Sequence, residues 1–294
     1  MSGIFDTRHV RHAFGRAAST YDTHALLQDE VGRRLQERLD DIAFAPKRVL
    51  DVGSGTGRGT AALRKRYPKA QTIALDIALP MLDAARRHRS WLRPFARICA
   101  DAEALPLSEA SIDLLHSNLC LQWCGDLDAA LGEFRRVLRA DGLLLLSTFG
   151  PDTLQELRLA FAETDAAPHV SRFLDIHQIG DALIAAGFRD PVLERDVFTL
   201  TYADTLTLMR ELRAIGATNA DIERSRGLTG KTRMREVAKA YEAFRVDDRL
   251  PATYEVVYAQ ARAPQPGQPR RARGASIASF PLDSLRGSRR GRSG

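Results

Sequence analysis

The chain has 294 residues, enough for one large α/β domain or two small ones. Apolar residues make up 44% and charged residues 27%, which excludes collagen-like, wholly disordered and disulfide-scaffold proteins. The formal charge of +6 belongs to the tail, because seven arginines and one acid, Asp283, lie between Pro264 and Gly294. The part of the chain that can fold is formally neutral, so nucleic acid is not an expected partner.

Targeting and metal-binding patterns are missing from the sequence. The three cysteines match neither a disulfide framework nor a zinc spacing. The first fourteen residues carry charges where a signal peptide needs an apolar stretch, and the longest aliphatic run, Leu143 to Leu146, is too short for a bilayer. The sequence therefore predicts a cytoplasmic protein without a membrane contact or a metal.

Helical and strand patterns alternate through the first half of the chain. Two helices open it, at 8–18 and 23–40, the second with Leu26, Leu27, Val31, Leu35 and Leu39 on one face. Alternation of strands and helices then predicts a parallel sheet with helices on both faces. The predicted strands are 48–52, 71–76, 95–100, 112–118 and 143–148, and the predicted helices are 59–67, 79–89 and 127–139.

The pattern changes after Gly150. Helices are predicted at 152–163, 175–186, 204–215 and 231–244, and strands at 192–201 and 253–261. The two strands can complete the sheet, and the helices between them form an insertion at its rim. The resulting division is an N-terminal helical cap (1–45), a core (46–150), the remaining strands with a helical lid (151–263) and a disordered tail (264–294) rich in Arg, Pro and Gly.

The sharpest motif is a buried strand that runs into a glycine-rich turn, Val49 to Gly57, and then into a helix. Such a turn lets a ligand approach the backbone closely at a helix N-terminus. A dinucleotide fingerprint would require glycine at position 58, where Arg58 stands. The spacing is D-x-G-x-G-x-G instead, and the carboxylate of Asp51 suits an ammonium group better than a pyrophosphate.

Two further acids follow the next strands. Asp76 closes the second strand, where a carboxylate can accept both ribose hydroxyls, and Asp101 with Ala102 follows the third, where adenine can be read. One such acid would be read as a turn former or helix cap. Three acids in register with the glycines favour a binding site.

This constellation resembles the class I S-adenosylmethionine-dependent methyltransferases over residues 48–150. The resemblance implies a Rossmann-like α/β fold with a mostly parallel seven-stranded sheet, and S-adenosylmethionine as the cofactor. The cofactor-binding residues that it implies are Asp51, Gly53, Ser54, Gly55, Gly57, Asp76, Asp101, Ala102 and Asn118.

The flanking segments are more discriminating. Segments 13–22, 117–124, 168–173 and 209–219 are similar to the malonyl-acyl carrier protein O-methyltransferase family of biotin synthesis, over residues 4 to 262. The resemblance implies methyl-ester formation on the free carboxylate of a malonyl thioester. Two alternatives stay open: a methyltransferase for another small carboxylate or a quinone precursor, and a non-methylating assembly factor or hydroxylase on the same fold.

The implied chemistry needs positioning rather than a base, since a malonyl carboxylate is already ionised at neutral pH. An arginine fork can hold it. The candidates are Arg172, Arg210 and Arg213, of which Arg210 is preferred because its helix ends in small residues. Tyr21 is a further candidate, near the methionine carboxylate or the substrate, with core packing as the alternative.

A basic stretch suggests where a partner docks. Residues 210–235 contain seven basic and three acidic side chains. Since acyl carrier proteins are acidic, this stretch is predicted to dock malonyl-acyl carrier protein, and a solvated helix face is the alternative. His9 and His12 are predicted to be surface residues.

Overall fold

The computed structural model describes residues 5–88, 94–164, 169–221, 230–265, 270–272 and 275–277. Its main sheet has seven strands: β1 Arg48–Val52, β2 Gln71–Asp76, β3 Ala96–Cys99, β4 Ile112–Asn118, β5 Leu138–Phe149, β6 Arg189–Tyr202 and β7 Leu250–Arg262. The strand order is β3-β2-β1-β4-β5-β7-β6.

The sheet is mostly parallel. Strands β1 to β5 pair in parallel, whereas β7 lies antiparallel between β5 and β6. The predicted seven-stranded architecture is therefore confirmed, with the last two strands completing the sheet as expected. Because the parallel strands all end at one edge, the residues that follow β1, β2, β3 and β4 meet there.

Ten helices of this structure surround the sheet within the described residues: α1 Thr7–Ala17, α2 Tyr21–His24, α3 Leu26–Glu37, α4 Arg58–Arg66, α5 Leu79–Ala84, α6 Leu127–Val137, α7 Gln155–Ala162, α8 Ile176–Ala185, α9 Thr205–Ala214 and α10 Lys231–Tyr241. Side-chain caps explain several starts. Asp6, Asp126 and Asp204 each accept an N–H bond from the first turn, and Asp175 forms a capping box with Gln178.

Some predicted boundaries are wrong. The helix expected at 23–40 is two helices that meet at Ala25, and the one expected at 79–89 ends at Ala84 and tightens into a 3-10 turn. Leu26, expected on the buried face, is 73% exposed, whereas the other four apolar residues predicted for that face are buried. The new helix start at Leu26 places this side chain outside the stripe that faces the sheet.

Apolar side chains fill both sides of the sheet. Alternation along β1 sends Val49 to the core beneath α3 and Leu50 to the core beneath α6 and α8. Both side chains are completely buried, as are their strand neighbours Leu114 and Leu115. A sheet covered on both faces leaves its strand-end loops as the place where a ligand can enter.

Hydrogen bonds connect the N-terminal cap to the lid. The Asp6 amide donates to the Ala220 carbonyl at 3.0 Å, and the Thr20 hydroxyl donates to the Ala214 carbonyl at 2.8 Å. A side chain on Gly216, whose φ is +79°, would lie 3.1 Å from Cα of Phe14. The lid helices α9 and α10 lie between β6 and β7 in the chain, which confirms the predicted insertion.

The tail contains one feature that the sequence reading did not anticipate. Arg270–Ala272 (β8) pairs with Ala275–Ile277 (β9) as an antiparallel hairpin. Residues 266–269, 273–274 and 278–294 lie outside the described residues, so the predicted disorder of the tail and the segment boundaries stay predictions.

Within the residues that the structure describes, no helix has the length and apolar character that a bilayer crossing requires.

Candidate functional site

A cleft opens at the carboxyl edge of the sheet, where β1, β2 and β4 end. The space between its walls, with the open solvent at its mouth included, is about 710 Å³. Its floor includes Gly53, Gly55, Asp76, Asp101 and Ala102. The opposite wall is formed by Thr7, Val10 and Phe14 of α1 and by Tyr21, the first residue of α2.

The glycine loop is shaped by two close approaches. Gly53 and Gly55 have φ angles of +71° and +52°, a backbone region that favours glycine. A Cβ atom on Gly53 would lie 2.5 Å from Cβ of Cys120, so a larger residue would force the loop away from the strand β4 side. The Gly55 amide donates to Oδ2 of Asp76 at 2.9 Å, which joins the loop to the end of β2.

Two predicted cofactor residues, Ser54 and Gly57, do not line the cleft. The Ser54 amide donates to the Leu75 carbonyl at 3.0 Å, which fixes the loop to β2. Gly57 has a φ of +83°, and a Cβ atom there would lie 2.8 Å from Cβ of Ala85. These two residues therefore support the shape of the loop and its packing.

Asp51 also lies behind the loop, which differs from its predicted direct contact with a ligand. The side chain is buried, and Oδ1 lies 2.7 Å from Nδ1 of His116 while Oδ2 accepts the Thr60 hydroxyl at 2.5 Å. The alternation of strand β1 turns this carboxylate toward α4 and away from the cleft.

His116 was not identified from the sequence, although a signal existed. It is the single histidine of strand β4, directly after Leu114 and Leu115, and it pairs in parallel register with Asp51. Its Nε2 atom is buried without a hydrogen-bond partner within the described residues. The Asp51–His116 pair is therefore a buried structural support of the glycine loop.

Asp76 is the best-placed acid of the cleft. Its Oδ1 accepts the Ala78 amide at 2.8 Å, and Oδ2 accepts the Gly55 amide. Burial raises the pKa of Asp76 to about 6, against the opposing effect of these amide bonds. The carboxylate is ionised at neutral pH and keeps lone pairs for hydroxyl donors.

The far end of the cleft contains Asp101, Ala102 and Glu103. Oδ1 of Asp101 accepts the Glu103 amide at 3.0 Å, an Asx turn that orients the loop after β3. Oε1 of Glu103 in turn accepts the Gly125 amide at 2.5 Å, which ties this loop to the start of α6.

Asn118 lines the cleft, but its side-chain amide forms hydrogen bonds within the protein. Nδ2 donates to the Gln28 carbonyl at 2.9 Å, and Oδ1 accepts the Ser147 hydroxyl at 2.7 Å. These bonds connect α3 to β4 and β5. A cofactor could therefore contact the Asn118 amide only in addition to the two protein groups that it already binds.

Tyr21 lies between the N-terminal cap and the glycine loop. Its ring is about 4.0 Å from the position that a Cβ atom on Gly55 would take, and it packs against the Ala17, Ala18, Ala78 and Met81 cluster. Burial, assisted by the charge of Asp76, raises the pKa of Tyr21, so the hydroxyl is neutral. The side chain packs on apolar neighbours and also lines the cleft, a position compatible with both roles that the sequence left open.

Asp22, which was not predicted from the sequence as a site residue, connects the N-terminal cap to the glycine loop. Its Oδ1 accepts the Thr56 hydroxyl at 2.5 Å, and its Oδ2 lies 3.0 Å from Nη1 of Arg87. The sequence signal that could have identified Asp22 is its position directly after Tyr21 in the N-terminal cap. Because Thr56 belongs to the glycine-rich turn, movement of the cap would disturb the loop.

Aromatic and sulfur side chains complete the wall. Phe14 and Trp123 pack edge to face with ring centroids 5.3 Å apart. Trp123 therefore lines this cleft and not the adjoining pocket. Cys120 and Cys124 are free thiols that also line it, and a hydrogen bond between them together with burial raises the pKa of Cys124.

A second, apolar pocket adjoins the cleft, and Cys124 lines both. The short turn Leu121–Trp123 forms part of the partition, since Trp123 faces the cleft whereas Leu121 and Gln122 face the pocket. Nε2 of Gln122 donates to the Leu119 carbonyl at 2.8 Å. The apolar lining consists of Phe5, Leu121, Leu127, Leu131, Leu146, Phe149, Phe173, Leu174, Ile179 and Leu183.

Of the three candidate arginines, the structure brings only Arg172 to this pocket within the described residues. Arg210 and Arg213 are exposed on α9 and line neither cavity, so the preference for Arg210 is not supported. The reason is helical geometry. Thr205 and Leu208 form the buried face of α9, and Arg210 lies about 200° around the helix from Leu208.

The remaining predicted surface histidines differ from each other. His12 is exposed, whereas Nε2 of His9 lies 3.2 Å from the Thr218 hydroxyl in the lid. Within the described part of the chain, no three His, Cys, Asp or Glu side chains are grouped so that they could hold a metal ion.

Comparison with known proteins places this site in context. Residues 50–146 match the family described as "Methyltransferase domain". The chain is 54% identical over 287 residues to the malonyl-acyl-carrier-protein O-methyltransferase of Xylella fastidiosa (strain M23), covering 97% of each protein. It is 52% identical over 268 residues to a protein of the same name from Methylovorus sp. (strain MP688), covering 89% of this chain and 90% of the relative.

A solved structure shares the fold. A putative methyltransferase from Bacillus halodurans C-125 superimposes with a TM-score of 0.57 at 18% sequence identity. The match covers 80% of this chain and 99% of that one.

Proposed function

The chain belongs to the malonyl-acyl-carrier-protein O-methyltransferase family, and on that premise we propose which of its residues hold the cofactor, the substrate and the carrier. The chain is an S-adenosylmethionine-dependent O-methyltransferase that forms the methyl ester of malonyl-acyl carrier protein, an early step of biotin synthesis. The observation that carries the assignment of roles is the apolar pocket with Arg172, which adjoins the cleft along Cys124 and the turn Leu121–Trp123.

The cleft fits S-adenosylmethionine by its donor set. The ionised Asp76 suits the ribose hydroxyls, and Asp101 with the adjacent backbone of Ala102 suits the adenine. The close packing of Gly53 on Cys120 leaves the loop backbone open toward the cleft. Asp51, Ser54 and Gly57 contribute by supporting the loop.

The reaction places few demands on proton transfer. S-adenosylmethionine supplies an electrophilic methyl group on a sulfonium, and a malonyl carboxylate is ionised at neutral pH and needs no general base. Opposite charges are lost together, so exclusion of water favours the reaction. Phe14 and Trp123 exclude water on one side, and the apolar lining that includes Phe149 and Phe173 does so on the other.

Arg172 holds the malonyl carboxylate in this proposal. A guanidinium can make two parallel hydrogen bonds to a carboxylate, and positioning of this kind can contribute about 7–11 kcal/mol. The neutral hydroxyl of Tyr21 orients the methionine end of the cofactor or the attacking oxygen, since it lines the cleft beside Gly55.

The carrier docks on the basic lid residues 210–235 in this proposal. Arg210, Arg213 and Arg235 are exposed in the structure, which supports a contact with an acidic protein. Arg224 and Arg226, which belong to the same stretch, lie outside the described residues, as does the side chain of Lys231. A cytoplasmic location stays a prediction.

The proposal is tested with malonyl-acyl carrier protein, S-adenosylmethionine and the purified chain. Mass spectrometry is expected to detect a gain of one methyl group on the malonyl carrier, and an acetyl carrier, which lacks the free carboxylate, serves as the matched control. Methylation of a quinone precursor or another small carboxylate in place of the malonyl carrier would contradict the assignment, as would the absence of any methylated product.

A further inference from the structure

The outer face of α1 is a strongly basic surface at the mouth of the site. Arg8, Arg11, His12 and Arg16 are all exposed there. No acidic residue occurs in the sequence between Asp6 and Asp22. We refer to Arg8, Arg11 and Arg16 as the α1 arginines.

The α1 arginines are not neutralised by the protein. Within the described residues none of the three forms an ion pair or a side-chain hydrogen bond, whereas Arg33 of the cap and Arg58 and Arg87 of the core are paired with acids of the cap. A groove beside the helix is lined by the α1 arginines together with His12, Gly15 and Pro80, and no acid from the described part of the chain lines it. Unpaired like charges on one face of a helix create a positive potential that an acidic partner can relieve.

The opposite face of the same helix forms a wall of the cofactor cleft, through Thr7, Val10 and Phe14. Phe5, just before the helix, lines the apolar pocket. A protein that lies along the outer face of α1 is therefore next to the mouths of both cavities.

We propose that the outer face of α1 docks the acidic acyl carrier protein, with the α1 arginines meeting its acidic side chains. This inference rests on the proposed function and extends the docking surface beyond the lid. The Thr20 hydroxyl, in the turn after α1, donates to the Ala214 carbonyl at the end of α9, so the helices that carry the two basic surfaces are directly connected. Leu79, next to Pro80 and 56% exposed, offers an apolar contact beside the groove.

A membrane surface fits this helix less well than an acidic protein does. An interfacial helix must insert its apolar face, but Val10, Ala13 and Ala17 of α1 are already buried in the protein. Docking of a folded carrier uses only the charged outer face and leaves this packing intact. Nucleic acid, the other polyanion, becomes one outcome of the test.

The experiment compares two triple variants of the full chain. One carries Arg8→Gln, Arg11→Gln and Arg16→Gln. The matched control carries Arg48→Gln, Lys65→Gln and Lys69→Gln, the same charge change at exposed positions near the amino ends of β1 and β2. Both are assayed with malonyl-acyl carrier protein and with malonyl-pantetheine, whose arm lacks the charge of a carrier, and binding of fluorescently labelled malonyl carrier is followed by anisotropy.

The α1 variant is expected to raise KM and Kd for the carrier about tenfold and to flatten the dependence of kcat/KM on ionic strength. Activity on malonyl-pantetheine and the thermal midpoint should match the wild type, and the control variant should behave as wild type in all assays. Equal losses on both substrates, unchanged carrier binding, or displacement of the carrier by an equimolar duplex DNA would each overturn the inference. If the wild type methylates neither substrate, the proposed function fails, and the anisotropy titration still decides whether α1 binds the carrier.

Discussion

Nδ1 of His116 lies 2.7 Å from Oδ1 of Asp51, and both side chains are buried beneath the glycine loop. The two residues are register partners in neighbouring parallel strands. Their contact, together with the bond from Thr60, holds the end of β1 in place from behind. The first acid of the D-x-G-x-G-x-G motif therefore acts here as a structural anchor of the binding loop.

Replacement of His116 by alanine should weaken this anchor. His116→Ala removes a partner of a buried carboxylate, which costs about 1–3 kcal/mol of unfolding free energy. We expect a lower urea midpoint and a several-fold higher Kd for S-adenosylhomocysteine by calorimetry. Asp113→Asn, at an acid near the opposite end of β4, serves as the matched comparison, since it lowers stability without touching the loop. An unchanged Kd in His116→Ala would argue against the anchoring role.

The pKa of Asp76, raised to about 6 by burial, predicts a pH dependence of cofactor affinity. Above pH 7 the group is ionised and accepts hydroxyl donors, and as the pH falls through 6 it is protonated and affinity decreases. The effect on the ligand-free protein has the opposite sign. Because the unfolded pKa is near 3.8, this group adds stability as the pH falls through 6, and the gain is complete below 3.8. Kd titrations from pH 5 to 8 should show the loss, and Asp76→Asn should make the profile flat over this range.

Thiol labelling tests the cleft without any substitution. Cys120 and Cys124 line the cleft, whereas Cys99 is exposed and acts as an internal reference. S-adenosylhomocysteine is expected to slow alkylation of Cys120 and Cys124 by tenfold or so when it occupies nearly all of the protein. Alkylation of Cys99 should keep its rate, as read by peptide mass spectrometry. Protection of Cys99 to the same degree would indicate a global conformational change and would argue against local protection by the bound ligand.

Substitutions of Arg172 and of Arg210 are expected to have different effects on substrate binding. Loss of a charge-assisted hydrogen bond costs about 1.5–3 kcal/mol, so Arg172→Gln should raise KM for malonyl-pantetheine about 10- to 100-fold. Arg210→Gln is the matched control and should leave this KM within twofold, because Arg210 lines neither cavity. Steady-state kinetics separate the two, and the reverse ranking would restore the interpretation that the sequence favoured.

Gly57 is expected to be a stability position. Gly57→Ala places a Cβ atom 2.8 Å from Cβ of Ala85 on a backbone with a φ of +83°, and the strain should cost about 1–3 kcal/mol of unfolding free energy. Gly132→Ala is the matched control, since among the described residues only the backbone of its own helix and its two sequence neighbours can lie within 4 Å of its Cβ position, and helix propensity favours alanine. Thermal unfolding should rank Gly57→Ala below the wild type and Gly132→Ala at or above it.

The sequence was informative about the sheet because each core strand is a short apolar run between turn residues. The five parallel strands, the two later strands that complete the sheet and the helices between β6 and β7 follow from that pattern, whereas the antiparallel direction of β7 does not. Boundaries were harder, because a helix can change direction at one residue, as α2 and α3 do at Ala25, without a change in hydrophobic spacing. The strand-end acids Asp76 and Asp101 were found for the same reason as the strands: their position follows from where each strand stops.

What the sequence determined by itself was the fold, the family resemblance and the edge of the sheet that holds the site, because strand periodicity and the glycine spacing are local properties. Only the tertiary structure decided which polar groups face the cleft. Asp51 is the penultimate residue of β1 and Asp76 is the last residue of β2, yet one is turned into the packing beneath α4 and the other borders the cleft. The choice among Arg172, Arg210 and Arg213 likewise depends on how distant helices pack on the sheet. Contacts between residues far apart in the chain set that arrangement, and no local spacing records it.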